Sequence, residues 1–90
     1  MPFYVLTLLI TALPEQVGGA VEAHRERLRG LRSQGRLRAA GALRHADGFV
    51  EIFEARDLLE AEAITHLSPL VEQGLATFML REWEELDLDP

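Results

Sequence analysis

Three histidines are the side chains of this chain best suited to proton transfer at neutral pH, because the reference pKa of histidine is near 6.5. His24 differs from the other two, since it falls on the apolar stripe of a helical pattern that also carries Leu28 and Leu31. Two interpretations of His24 stay open: a hydrogen-bonded histidine of the core, or a general acid/base in a pocket between this helix and a sheet. The second requires a partner group, usually a carboxylate, that fixes the tautomer of the ring.

The other histidines indicate structural roles. His45 lies beside the turn signal Asp47-Gly48 and is expected in an exposed loop, whereas His66 falls near the end of a second helix, where the helix dipole favours it. No paired spacing supports a three-histidine metal site, and the absence of cysteine excludes disulfides, thiolate catalysis and cysteine-based metal sites. The sequence also lacks a phosphate-binding glycine loop and a serine nucleophile elbow. We therefore expect no metal or other cofactor.

Composition indicates one globular domain that does not bind nucleic acid. The 90 residues are 48% hydrophobic and carry a net charge of −6, where a nucleic-acid-binding domain is expected to be basic. We expect the domain to span residues 1–83 and residues 84–90 to form an acidic, flexible tail. No apolar run approaches the roughly 20 residues of a membrane helix, and the first residues do not resemble a secretory signal. The expected location is cytoplasmic, because small secreted domains usually need disulfides.

Charge is unevenly distributed along the chain. Six of the nine basic residues lie between Arg25 and Arg38, whereas the segment from Glu82 to Pro90 holds five acids and no base. Two interpretations stay open: a complementary contact between the two regions, within or between subunits, or a solvated helix face and a frayed tail.

The hydrophobic pattern predicts the element order β-α-β-β-α-β. The predicted strands span 3–10, 37–43, 49–53 and 75–83, and the predicted helices span 20–34 and 58–67. The first strand is apolar on both faces, so we expect it in the centre of the sheet. Asp57 and Glu60 indicate a capping box at the second helix, and Ser68 before Pro69 should end that helix. This order is typical of a ferredoxin-like α+β fold, an antiparallel sheet with both helices on one face.

Such a sheet has a second face that the helices do not cover. The first and last strands place apolar side chains on both faces, so a monomer would leave a large apolar surface in water. We therefore expect a homodimer formed through this open sheet face.

The chain resembles the YciI-like (YCII-related) proteins from Phe3 to Trp83. The ordered set of residues that carries the resemblance consists of Ala23-His24-Arg25, Leu28, Leu31, Gly35-Arg36-Leu37, Ala40-Gly41, Asp47-Gly48, Glu60-Ala61, Pro69-Leu70, Gly74 and Trp83. The resemblance implies a dimeric α+β barrel, in which two ferredoxin-like sheets pack face to face. Its wider superfamily includes muconolactone isomerase and small monooxygenases, and one YciI-like member is a dehydrochlorinase of a chlorinated hydroxyquinol.

The resemblance also implies an active site. In the family, a histidine on the first helix is paired with the aspartate of an Asp-Pro step after the second helix. The histidine corresponds to His24, but Ser68 stands before Pro69 where the family has aspartate. Serine brings no negative charge to stabilise an imidazolium. Either another acid substitutes, with Asp47 and Glu51 as candidates, or the site binds without turnover.

Three functions stay open on these grounds. The first is a small lyase or isomerase that uses His24 as catalytic acid/base on a small cyclic or aromatic metabolite, with Ser68 and Asp47 in substrate binding. The second is a non-catalytic small-molecule binding module, and the third is a dimerisation domain.

Overall fold

The computed structural model describes residues 1–89 and contains a four-stranded antiparallel sheet. The elements are β1 (Phe3–Ile10), α1 (Pro14–Val17), α2 (Ala20–Ser33), β2 (Leu37–Ala42), β3 (Gly48–Glu54), α3 (Leu58–His66), α4 (Pro69–Glu72) and β4 (Ala76–Trp83). The strand order is β2-β3-β1-β4, and every neighbouring pair is antiparallel. The expected ferredoxin-like α+β fold is confirmed, with two short helices, α1 and α4, in addition to the two long ones.

β1 lies in the centre of the sheet, as its apolar faces predicted. Tyr4, Leu6 and Leu8 are buried in the core beneath the helices, at 0–3% exposure. The alternate residues of β1 point to the other face and keep part of their surface exposed, because no helix covers them. Strand pairing gathers apolar side chains on this open sheet face, namely Phe3, Val5, Leu9, Val50, Ile52, Met79 and Trp83.

The ends of the long helices follow from local sequence. Gly35 has a φ of +72°, and the amides of Gly35 and Arg36 donate to carbonyls of the last turn of α2, which is a Schellman end. The Asp57 carboxylate caps α3 by accepting from the Glu60 amide at 2.9 Å. Ser68 is extended because Pro69 follows it, and α3 ends before it. These boundaries bring Ser68 beside α2.

The connection between β2 and β3 differs from the predicted Asp47-Gly48 turn. The chain reverses through residues 43–47, where His45 takes a positive φ of 62°, and Gly48 is already the first residue of β3. A Cβ atom on Gly48 would collide with the carbonyl oxygen of Leu8 on the neighbouring strand. Glycine is therefore needed here for close strand approach, not for a left-handed turn.

The acidic segment after β4 reaches the arginine-rich segment at one described contact. Residues 84–89 contain no helix or strand, and the Glu85 carboxylate lies 3.1 Å from the Arg38 guanidinium. Both side chains are more than half exposed, so this pair contributes only about 0–1 kcal/mol to folding. No helix formed within residues 1–89 has the length and apolar character needed to cross a membrane.

We predict that Gly48→Ala destabilises the fold, because the added methyl group meets the Leu8 backbone carbonyl, which cannot move without distorting β1. The expected loss in the free energy of unfolding, measured by urea denaturation, is about 3 kcal/mol. Gly41→Ala on β2 is the matched control, because a Cβ there meets open space, and we expect a change within about 0.5 kcal/mol. Equal losses in the two variants would contradict the steric explanation.

Candidate functional site

His24 lies at the centre of a buried polar cluster between α2 and the sheet. Its place on the apolar stripe of α2 turns the side chain toward β3, and the residue is 0% exposed. The imidazole packs against the Phe49 ring at a centroid distance of 5.1 Å and an interplanar angle of 35°. The helix pattern thus holds the ring in place without leaving it a solvent-facing edge.

One nitrogen of the ring is held by serine. His24 Nδ1 and Ser68 Oγ are 2.8 Å apart, and Ser68 is itself 0% exposed. A hydroxyl can either donate or accept, so this bond is compatible with both neutral tautomers of the imidazole. Ser68 therefore holds His24 by a hydrogen bond, but it brings no charge.

The other nitrogen faces a carboxylate without a hydrogen bond. His24 Nε2 lies 3.7 Å from Glu51 Oε1, which is beyond hydrogen-bond length, and it has no hydrogen-bond partner within residues 1–89. Glu51 is only 1% exposed and belongs to β3, two residues after Phe49 on the same sheet face. An acid does lie beside His24, and it comes from the sheet.

Arg27 compensates the charge of Glu51. Its Nη1 donates to Glu51 Oε1 at 2.9 Å, and its Nη2 makes an ion-pair contact with Oε2 at 2.8 Å. The same guanidinium donates to the carbonyl oxygen of Ile64 at 2.9–3.0 Å. The Arg27 side chain is 6% exposed, so the pair lies almost wholly out of water. This ion pair connects α2, β3 and α3 through one side chain.

These surroundings keep His24 uncharged. Burial and the positive charges of Arg27 and Arg25 together lower the pKa of the imidazole from 6.5 to about 4, and burial is the largest of these causes. At neutral pH the ring is therefore neutral, with one hydrogen-bonded and one unpartnered nitrogen. Chemically, such a ring can take up a proton at one position and release it again.

A groove of about 300 Å³ lies next to this cluster, between α2 and β2. Its apolar lining comes from Leu28, Leu37, Ala40, Gly41, Ala42 and Phe49, and its basic lining comes from Arg25, Arg29 and Arg32. We call it the α2–β2 groove. Phe49 lines the groove and also packs on His24, so this one ring lies between the open surface and the buried imidazole.

The structure does not bring all the candidate residues together. Ser68 contacts His24, but Asp47 is exposed in the turn before β3, and its described contact is a backbone one, to the Ile10 amide at 2.9 Å. Of the two acids considered as replacements for the family's aspartate, Glu51 is the one that faces the imidazole.

The other two histidines lie outside the cluster. His45 is exposed in the turn, and His66 is exposed at the end of α3, with Nδ1 3.8 Å from a Glu72 carboxylate oxygen. Within residues 1–89, no group of three or more histidine, aspartate or glutamate side chains is placed to hold a metal ion.

Arg27 and Phe49 belong to the site but were not identified from the sequence. Arg27 lies three residues after His24, a spacing that places two side chains on neighbouring parts of a helix surface. Glu51 alternates with Phe49 and Phe53 along β3, so a charged residue occupies an inward position of an apolar strand. These two spacings are the sequence features from which a buried ion pair could have been predicted.

Comparisons with known proteins agree on the fold and the family. The model of the YCII-related domain family matches residues 3–84. The uncharacterized protein YjpA of Bacillus subtilis (strain 168) is 36% identical over 64 residues, which cover 71% of this chain and 75% of YjpA.

Two solved structures share the fold at low sequence identity. One is 5-chloro-2-hydroxyhydroquinone dehydrochlorinase (TftG) from Burkholderia phenoliruptrix AC1100 in complex with 2,5-dihydroxybenzoquinone, with a TM-score of 0.67, 16% identity and coverage of 89% of this chain and 93% of that one. The other is an antibiotic biosynthesis monooxygenase, with a TM-score of 0.65, 16% identity and coverage of 97% and 100%. At this identity the likeness establishes the fold alone.

We predict that His24 makes the stability of the protein depend on pH. The unfolded chain takes up a proton near pH 6.5, whereas the folded protein does so only near pH 4, so stability falls as the pH drops through this window. When the pH falls from about 7.5 to about 5, protonation of His24 in the unfolded chain should lower the free energy of unfolding by about 2 kcal/mol. Urea denaturation at both pH values should show that His24→Asn lacks this loss.

His66→Asn is the control for this measurement, since it removes an exposed histidine by the same substitution. The control should keep the pH dependence of the unchanged protein. An imidazole signal of His24 that titrates above pH 6 in an NMR experiment would contradict the prediction.

Proposed function

This chain belongs to the family of YCII-related domains, and we propose that it is a small-molecule enzyme of the lyase or isomerase type in which His24 is the general acid/base. The substrate class is a small cyclic or aromatic metabolite. The observation that supports the proposal most directly is the neutral, buried imidazole, held at Nδ1 by Ser68 and unpartnered at Nε2. Perturbed histidines of this kind are concentrated at functional sites.

The proposed proton path uses the two ring nitrogens differently. When Nδ1–H donates to Ser68 Oγ, the lone pair of Nε2 is available to accept a proton from the substrate. The resulting imidazolium lies 3.7 Å from a Glu51 oxygen, but Arg27 already neutralises that carboxylate, so the imidazolium is weakly stabilised and gives up its proton readily. In an isomerase the proton returns to a different atom of the substrate. In a lyase an anionic leaving group departs, and the proton passes to solvent.

The low pKa of His24 sets a condition on the substrate. An imidazolium with a pKa of about 4 forms only when the donated proton is acidic, and it releases that proton readily. Hydroxylated rings that carry carbonyl or halogen substituents meet this condition better than unactivated ones. The dehydrochlorinase with the same fold is named for such a ring, and its structure holds 2,5-dihydroxybenzoquinone, so both compounds are suitable first probes.

Access to His24 requires a movement of Phe49. We place the substrate in the α2–β2 groove, where the Phe49 ring separates it from the imidazole. Because His24 has no exposed surface, the Phe49 side chain must rotate before Nε2 can reach a bound ring. Rotation about side-chain bonds is fast on the timescale of turnover, so this step is compatible with catalysis.

A non-catalytic binding module is the second candidate. It is favoured by the fact that His24 does not line the groove and that Ser68 replaces the family's aspartate. In that case the ligand would rest on Phe49 without proton transfer.

We further propose that the chain forms a homodimer through the open sheet face. Leu9 and Met79 on this face are 46% and 56% exposed, and Phe3 and Trp83 pack edge to face at the other end of β1 on the same face. A second copy would remove this apolar surface from water, which is the main driving force for such association. We also propose a cytoplasmic location, since the chain has no cysteine to stabilise a small secreted domain.

We predict that the protein catalyses His24-dependent exchange of the ring hydrogens of 2,5-dihydroxybenzoquinone with deuterium from D2O, measured by NMR. Proton exchange tests the acid/base step without requiring a particular leaving group. His24→Asn should lower the exchange rate at least about 100-fold, because the proton-accepting nitrogen is altered. Ser68→Ala should lower it about tenfold through loss of ring orientation, and His66→Asn is the control that should keep it.

Chloride release from 5-chloro-2-hydroxyhydroquinone measures the complete lyase reaction in the same variants. Binding of either probe with no exchange or chloride release above the rate of His24→Asn would favour the binding module over the enzyme.

We predict that Ile52→Glu on the open sheet face converts a dimer to a monomer. The substitution places a charge on β3 opposite Val5, where burial against a second copy would cost several kcal/mol. Sedimentation at micromolar concentration measures the change, and circular dichroism checks the fold. Leu59→Glu is the matched control on the helical side, where the side chain is 76% exposed, and it should remain dimeric. A monomeric unchanged protein would refute the dimer.

A further inference from the structure

The α2–β2 groove carries positive charge that the rest of the protein does not neutralise. Arg25, Arg29 and Arg32 line it from α2, at a spacing of four and three residues that places them on one side of the helix. Arg29 is paired with Glu22 at 3.1 Å and Glu26 at 2.7 Å. Arg25 and Arg32 have no hydrogen-bond or ion-pair partner among the residues that the structure describes. Two uncompensated guanidinium groups therefore lie at one groove of a chain whose net charge is −6.

The rest of the groove lining is apolar and leaves space. Leu28, Leu37 and Phe49 provide hydrophobic surface, and the small side chains of Ala40 and Ala42 on β2 leave room above it. A volume of about 300 Å³ is at the lower end of the range for small-molecule sites, which suits a ligand of one ring. The aromatic ring of Phe49 favours a flat partner that can pack against it.

From this combination we infer that the α2–β2 groove binds a single-ring aromatic anion, with its carboxylate or phenolate directed to Arg25 and Arg32 and its ring against Phe49. Guanidinium groups suit this task because they stay charged and offer paired donors to planar anions. The inference rests on the proposed function in taking the groove as the substrate site, and it adds the charge of the substrate. Phe49 connects this anion site to His24, because its ring lines the groove and also packs against the His24 imidazole.

The test compares 4-hydroxybenzoate with 4-hydroxybenzamide, which have nearly the same shape and differ in the charge of one group. We expect the carboxylate to bind about tenfold more tightly, measured by titration calorimetry at about 50 mM salt, and to lose most of this advantage at about 500 mM salt. Amide shifts of α2 and β2 in NMR spectra should place the carboxylate in the groove. Equal affinities for the two probes, or shifts elsewhere, would overturn the inference.

Variants distinguish binding by these two arginines from a general effect of the protein's net charge. The double substitution Arg25→Gln and Arg32→Gln should remove the preference for the carboxylate. Its control pairs Arg44→Gln with Arg56→Gln, which remove two exposed arginines outside the groove lining and the open sheet face and should keep the preference. An equal loss of preference in both double variants would show that only net charge matters and would refute a built site.

The anion site and the proposed enzymatic function can each be refuted independently of the other. Carboxylate-selective binding without proton exchange on any probe would support the anion site and refute the enzyme. Proton exchange that is insensitive to the Arg25 and Arg32 substitutions would support the enzyme and refute the anion site.

Discussion

The buried ion pair between Arg27 and Glu51 is the interaction on which the candidate site depends. Taking two charges out of water is costly, and their mutual attraction offsets that cost only when the remaining polar atoms are also satisfied. Here Arg27 donates to Glu51 Oε1 and to the Ile64 carbonyl, and it lies within ion-pair distance of Oε2, which has no hydrogen-bond partner within residues 1–89. One side chain thus connects two helices and the sheet. Burial lowers the pKa of His24, and the positive charge of Arg27, one turn later on the helix, acts in the same direction. The ion pair thus places the Glu51 carboxylate beside the imidazole and adds to the effect of burial on its charge state.

A small domain has little stability to spare for such a cluster. A chain of 90 residues buries only roughly 60–65% of the surface that it exposes when unfolded, so its folding free energy is small. Four polar residues nevertheless occupy the interior at 0–1% exposure, namely His24, Glu51, Thr65 and Ser68. Apolar residues of similar size would pack there at lower cost. A polar interior beside an open groove is therefore better explained by a chemical task, such as the proposed acid/base chemistry, than by stability.

The two faces of the sheet have different roles in the structure. The helical face contains the polar cluster and the groove, whereas the open sheet face presents apolar side chains from three of the strands. Covering the open face with a second copy would stabilise the domain without altering the groove, because β2 and α2 contribute its lining from the other side. A pairing through this face is therefore compatible with the proposed substrate site.

Local patterns in the sequence determined the elements, and long-range pairing decided the chemistry. Periodicity and capping signals gave the element order, the central β1 and the inward position of His24, because each depends on residues within one or two turns of the chain. Whether Glu51 or Asp47 would face the imidazole could not be read from those patterns. It depends on where β3 begins and how it pairs with β1, and Gly48 set that start by its close approach to Leu8. The contact of His24 with Ser68 joins residues 44 positions apart, and packing of α4 against α2 brings them together. Burial and neighbouring charge, which set the pKa of His24, exist only once that packing has formed.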